Sequence, residues 1–182
     1  MSPVSYKCRF YFAAPTEVSP PETAAPSGLR VELWRPSPTE LAPKGMCAPS
    51  LAVWWAFHRM HLFRNRRYSV LAIYEGQRPV HRSVVTPGWL RFPFMDADDL
   101  QIGATWTDPE YRGRGLAALA ISHIVHGAKD SCARFWYLTE ETNRASIRAV
   151  EKAGFTRYLE GRRTKRLGFR LLGAYIPDRR AD

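Results

Sequence analysis

Leu100-Gln101-Ile102-Gly103-Ala104-Thr105-Trp106-Thr107, followed by Arg112-Gly113-Arg114-Gly115-Leu116-Ala117 and an apolar segment through Leu119, Ala120 and Ile124, is the stretch that decides the fold. It predicts a strand, a tight turn and a helix. Gly113 and Gly115 let the backbone turn sharply and approach a ligand with no Cβ in the way, so amide N–H groups can face inward. The helix beginning there adds unpaired N–H groups and the positive end of its dipole. Arg112 and Arg114 add fixed positive charge, and a pyrophosphate suits such a cradle. A plain strand-to-helix turn with two solvated arginines is the other reading. The Gly-Lys-Ser/Thr phosphate loop is absent, and the three-glycine dinucleotide fingerprint lacks its last glycine.

A second ordered segment lies downstream. Arg134 to Thr139 predicts a strand, after which Asn143-Arg144-Ala145-Ser146 opens a helix that closes at Lys152-Ala153-Gly154-Phe155. Asn143 is a good N-cap, able to accept from the N–H of Ser146, and Gly154 suits a left-handed terminator.

With both segments in this order, the chain resembles the GNAT superfamily of acyl-CoA-dependent N-acyltransferases. Their CoA signature, Gln/Arg-x-x-Gly-x-Gly/Ala after a central strand, is matched by Arg112, Gly115 and Ala117. The resemblance covers Gly28 to Pro177 and is specific from Leu100 to Phe155. It implies an α/β (α+β) GNAT fold, with a mixed, mostly antiparallel sheet of about six to seven strands flanked by helices. It also implies acetyl-CoA as co-substrate, with no metal, and an amine acceptor. The thioester would lie near Thr105, Trp106 and Thr107, where a strand amide supplies the oxyanion donor. Arg112, Gly113, Arg114, Gly115, Leu116 and Ala117 would hold the pyrophosphate, and Asn143 and Ser146 would line the CoA channel.

The chemistry sets further requirements. An alkyl amine has a pKa near about 10, so it arrives protonated and must lose that proton before attacking the thioester. A base, an oxyanion donor and an acid for the departing thiolate are the useful groups. Many family members carry a tyrosine acid seven residues after the helix-opening Asn, but Val150 stands there. The form with Ser146 resembles the subgroup that acetylates ribosomal-protein N-termini, which implies Ser146 as acid, with Tyr137 and Tyr158 as alternatives. Strand alternation puts Gln101, Gly103, Thr105 and Thr107 on one face without a carboxylate. His81 is the preferred base because its ordinary pKa suits neutral pH; His58, Asp96, Asp98 and Asp99 are the others. Trp54, His58, Trp89 and Phe94 are candidates for the acceptor pocket or, equally, core. The acceptor expected is a small primary amine, an amino sugar being one example, or else a peptide or protein N-terminus. A GNAT-like CoA- or RNA-binding module of weak catalytic power is the reading from another class.

Composition sets the outer limits. The chain has 182 residues, 45% hydrophobic and 24% charged, which suits one globular domain. Residues 28–177 are expected to form it, with 178–182 as a tail. Residues 1–27 hold five of the 14 prolines and predict a poorly ordered segment, in which Tyr6 to Phe12 could form an edge strand or cap the core. Helix is expected from Ser50 to Phe63, strands over Leu29–Trp34, Tyr68–Tyr74, Val80–Val85, Thr156–Gly161 and Lys165–Tyr175, and an aromatic loop over Thr86–Asp99. No apolar run reaches the roughly 20 residues of a membrane span, and the N-terminus lacks a secretory pattern, so a cytoplasmic location is expected. Cys8, Cys47 and Cys132 show no metal-ligand spacing with the five histidines. The net charge of +10 includes Arg64, Arg66 and Arg67, then Arg162, Arg163, Lys165, Arg166 and Arg170. These clusters are compatible with nucleic-acid or ribosome contact without requiring it; a homodimer is also compatible.

Overall fold

The computed structural model describes residues 6–18, 20, 27–46, 49–164 and 173–178. Its strands are β1 (Tyr6–Ala13), β2 (Leu29–Trp34), β3 (Ser69–Glu75), β4 (Arg78–Pro87), β5 (Leu100–Thr107), β6 (Phe135–Glu140), β7 (Thr156–Arg163) and β8 (Tyr175–Pro177). They form one eight-stranded sheet in the order β2-β3-β4-β5-β6-β1-β7-β8. Only β5 and β6 run parallel; every other neighbouring pair is antiparallel. This is the GNAT architecture expected, with one strand more than the upper count.

The helices are α1 (Pro49–Arg59), α2 (Leu116–Gly127) and α3 (Arg144–Lys152). On one face of the sheet, Leu116, Ala120, Ile121 and Ile124 of α2 and Ile147 and Val150 of α3 pack against Leu71, Ile73, Val85, Ile102 and Tyr137. Leu116 to Ala120 and Ile121 to Ile124 are four and three residues apart, so one stripe of the helix is buried. On the other face, Leu51 and Trp54 of α1 pack with Trp34, Tyr68, Val84, Trp89 and Trp136. The sheet therefore separates two cores.

The extra strand is β1, and it corrects the expectation for residues 1–27. Tyr6–Ala13 is neither an edge strand nor a cap, because it pairs with β6 on one side and β7 on the other. Phe10 and Tyr11 have no exposed surface, and side chains of such a two-sided strand feed both cores. Phe10 belongs to the core on the α1 side and Tyr11 to the other. The domain thus includes a segment preceding its expected start at Gly28. The strand expected over Lys165–Tyr175 lies outside the described residues from 165 to 172; β8 begins at Tyr175.

Candidate active site

The site grows from a mismatch between β5 and its neighbours. β5 pairs with β6 over three rungs, Leu100 with Phe135, Gln101 with Trp136 and Ile102 with Tyr137. Beyond Ile102 the recorded pairing between the two strands stops, although β5 continues to Thr107 and β6 to Glu140. On its other side β5 stays paired with β4, but the register shifts by one between Arg82 and Val84. Ala104 occupies this bulge with φ of 46°, a conformation costly for a residue with a Cβ. Bulges re-aim side chains and leave the extra residue unpaired. Here the strand opens a cleft toward β6.

The bulge also corrects the expected alternation. Gln101 and Gly103 face the α1 side, where Gln101 Oε1 accepts from Thr86 Oγ1 at 2.8 Å. Thr105 and Thr107 face the α2 side instead, because Thr105 Oγ1 meets Ser83 Oγ at 3.2 Å and Thr107 Oγ1 meets His81 Nδ1 at 2.8 Å. Strict two-residue periodicity fails across an inserted residue.

Immediately after β5, Asp108 caps a 3-10 turn by accepting from Glu110 N at 3.1 Å, and Arg78 bridges to both carboxylates at 2.8 Å. This pins the chain before the cradle. Gly113 and Gly115 both have φ of 78°, and a Cβ placed on either would meet nothing within 4 Å. Glycine is needed there for backbone conformation, with open space left above it. Gly115 is the N-cap of α2 and offers no side chain to the first turn, so the amides of Leu116 and Ala117 lack intrahelical partners. Arg112 is exposed with Nε donating to the carbonyl of Thr107 at 3.3 Å, and Arg114 lies over the ring of Tyr111 at 4.7 Å. The first amides of α2, the positive end of its dipole and two guanidinium groups are thus brought together just after β5, an arrangement suited to an anion.

After β6 ends, Asn143 Oδ1 accepts from Ser146 N at 3.1 Å, the cap expected from the sequence. Gly154 ends the helix with φ of 90°. Ser146 is half-buried on the first turn of α3, and Val150 on the same helix is fully buried in the core.

One family model, the acetyltransferase (GNAT) family, matches residues 31–155. The chain belongs to the GNAT acetyltransferase family. Solved structures share the fold at low identity. A putative GNAT-family acetyltransferase from Novosphingobium aromaticivorans is 14% identical, covering 86% of this chain and 62% of its own, at a TM-score of 0.51. An acetyltransferase of the family from Colwellia psychrerythraea is 15% identical over 85% of this chain and 53% of its own, at 0.53. A tandem GNAT protein from the clavulanic acid biosynthesis pathway is 16% identical over 85% and 51%, at 0.59. The chain thus spans roughly half to three fifths of the length of these structures, and no curated protein matches it.

Within this GNAT fold the expected site residues separate into groups. Thr105, Trp106 and Thr107 lie on the splayed end of β5, and Arg112 to Ala117 form the turn into α2 that follows it. Tyr137 sits on the last paired rung, 3% exposed, with its hydroxyl donating to Thr105 Oγ1 at 3.5 Å. Tyr158 lies instead on the α1 side, edge-on to Phe12 and Trp136.

His81 is placed differently from the expectation for a base. It has no exposed surface, its Nδ1 meets Thr107 Oγ1 at 2.8 Å, and its Nε2 meets Ser83 Oγ at 3.1 Å. Burial without a counter-charge pushes its pKa down to about 4, so it is neutral at pH 7 and holds no free nitrogen for an acceptor amine. Together with the contacts above, it forms a hydrogen-bonded file running Thr107, His81, Ser83, Thr105, Tyr137 along the α2 side of the cleft. Ser83 was not among the expected site residues, although strand alternation puts it on the same face of β4 as His81.

The aromatic candidates also divide. Trp54 lines a cavity of about 100 Å³ on the α1 side, whose wall includes Gly103 and Ala104 of the bulge. Trp89 is 6% exposed and edge-on to Trp54 and Phe92, hence core. Phe94 packs edge-on to Phe10 and Trp136. His58 lines a separate cavity with Arg66, Arg67 and Tyr68, and so is not brought to the cleft. The residue missed is Arg91, which lines the same small cavity as Trp54. Of the basic clusters, Arg64 donates to the carbonyl of Met95 and Arg67 bridges to Asp98 at 3.4 Å, so both tie down the aromatic loop. No group of metal-ligating side chains and no helix long and apolar enough to cross a membrane occurs among the described residues.

Proposed function

We propose that this GNAT domain transfers the acetyl group of acetyl-CoA to the primary amine of a small acceptor. The observation that carries this reading is the conjunction of the β5–β6 cleft, which opens beyond the Ile102–Tyr137 rung, with the left-handed Gly113–Gly115 cradle beside it. The cradle takes the pyrophosphate, the cleft takes the pantetheine arm, and the bulge at Ala104 presents backbone amides that are not committed to a regular ladder.

The reaction follows from those placements. The acceptor nitrogen, neutral after losing its proton to water, attacks the thioester carbonyl. A C–N bond forms, the carbonyl electron pair moves onto oxygen and is held by a bulge amide, and on collapse the C–S bond breaks with its electron pair going to sulfur. The thiolate of CoA takes a proton from the Tyr137 hydroxyl, and the amide nitrogen loses its extra proton to solvent. Tyr137 is reprotonated through Thr105, Ser83 and His81, a file ending at the half-buried Thr107. Neutral His81 suits such a relay because one ring nitrogen donates while the other accepts. Ser146 then serves the α3 cap and the channel wall and is not the acid.

A cavity of about 100 Å³ favours a small amine over a protein N-terminus, whose following residues need a longer groove. Thiol release from acetyl-CoA across a panel of small amines and peptides tests the reading. Release with a small amine, accompanied by the N-acetyl product, supports it. Binding of acetyl-CoA with no acceptor consumed would leave a CoA-binding module.

A further inference from the structure

The small cavity on the α1 side contains a buried cation with no carboxylate partner among the described residues. Arg91 is only 9% exposed. Its guanidinium carbon lies 6.0 Å from the ring centre of Trp54, 5.9 Å from Phe92 and 5.2 Å from Tyr175. One terminal nitrogen donates to Tyr175 Oη at 3.5 Å, and Nε has no partner. No carboxylate pairs with Arg91 among the described residues; Tyr175 and Cys8 favour its charge, and the nearby cation of Arg163 opposes it. Burial lowers its pKa from the usual arginine value, yet a guanidinium stays protonated in proteins.

A buried charge without a carboxylate partner is costly, and cation–π contacts return only part of that cost. The remaining wall shows where the partner belongs. Thr86 and Gln101 satisfy each other, and the cavity reaches from Arg91 to Gly103 and Ala104 of the bulge. A ligand filling it would meet the guanidinium at one end and the acetyl-transfer position at the other.

We propose that Arg91 anchors a carboxylate on the acceptor, so that the acceptor is an aminocarboxylate whose amine lies a few bonds from its acid group. This rests on the acetyl-transfer reading and sharpens its acceptor. A carboxylate matches the planar fork of a guanidinium with two parallel hydrogen bonds. A phosphate dianion against this single buried cation leaves one negative charge uncompensated in an aromatic cavity. An amino sugar brings no anion, and a protein N-terminus continues as a neutral amide where the carboxylate should be.

Thiol release is measured with matched acceptors: α-, β- and γ-amino acids with small apolar side chains, their carboxamides, and the corresponding aminophosphonates. The wild-type protein should favour the best carboxylate over its carboxamide by about 100-fold in kcat/KM, the size expected for losing a buried charge-assisted pair. Arg91→Met should reduce that preference to near unity, and Arg91→Lys should retain part of it. Melting temperature and acetyl-CoA affinity identify a variant that is merely unfolded. Equal use of acid and carboxamide by the wild type, an undiminished preference in Arg91→Met, or a preference for the phosphonate would overturn the assignment. If no acceptor releases thiol, the acetyl-transfer reading fails, and the anchor is judged by binding alone. Amino acids titrated into the CoA-bound protein should then quench the fluorescence of Trp54 saturably and fail to do so in Arg91→Met; no such difference overturns it.

Discussion

Ile102 and Tyr137 form the last rung between β5 and β6, and the site depends on what happens just beyond it. One residue past Gly103 the backbone turns left-handed at Ala104, and from there β5 keeps company with β4 alone. The same rung places the Tyr137 hydroxyl against Thr105 Oγ1. Fold and chemistry meet at that point, because the bulge that opens the cleft also aims Thr105 toward the file of hydroxyls.

Tyr137→Phe removes the proposed acid while keeping the ring that packs in the core. The expected outcome is a fall in kcat of about 100-fold, the lower end for general acid catalysis, with the KM for acetyl-CoA changed little. Ser146→Ala should lower kcat by less than about fivefold, because its backbone N–H, not its hydroxyl, makes the recorded cap bond; steady-state kinetics on both variants checks this.

Gly115→Val forces a β-branched residue into a left-handed conformation at the mouth of the cradle. Its Cβ meets nothing within 4 Å, so the damage should fall on ligand binding more than on packing. Calorimetric titration should show acetyl-CoA affinity reduced at least tenfold, about 1.4 kcal/mol or more.

Phe10→Ala probes whether the early strand β1 is part of the core. With no surface exposed, the loss should be about 3–5 kcal/mol of unfolding free energy, measured by denaturant titration. Gly161→Ala on the neighbouring β7 should also destabilise, since its Cβ would run into the carbonyl of Ile176 and come within 2.6 Å of the Phe10 ring.

His81 sets two pH dependences. Its folded pKa of about 4 lies below the unfolded value near 6.5, so the unfolded chain binds the extra proton first. Stability should therefore be fully present above about pH 6.5 and fall as pH drops toward 4, by on the order of 3 kcal/mol from this group. His81→Asn should lose that part of the acid sensitivity, as read from melting temperatures. In the rate profile, kcat/KM should rise with pH toward the pKa of the acceptor amine, with no inflection near 6.5, because His81 is already neutral there.

How much of this was legible in the sequence follows from where each signal resides. The left-handed Gly113 and Gly115 turn, the Asn143 cap and the Gly154 terminator are local, set by residues a few positions apart, and their backbone geometry is as expected. β1 was obscured because its sequence context is rich in proline, and what makes it an interior strand is pairing with residues more than 120 positions away. The facing of Thr105 was misread because alternation assumes a continuous ladder, and the inserted residue at Ala104 breaks it. His81 looked suited to a base from its ordinary pKa, while its burial between β3 and β5 is a tertiary fact. Arg91 carried one visible hint, a lone cation among Trp89, Phe92 and Phe94, but that no carboxylate among the described residues pairs with it appears only once the sheet is assembled.

Acetyl transfer at the β5–β6 cleft is read out by incubating the protein with acetyl-CoA and a panel of small amines. Free thiol and N-acetylated amine are then measured in the same sample. One class of small amine should yield both in equal amounts, and Gly115→Val should lose both. Acetyl-CoA binding unchanged by that substitution, or thiol release with no acetylated amine, would contradict it.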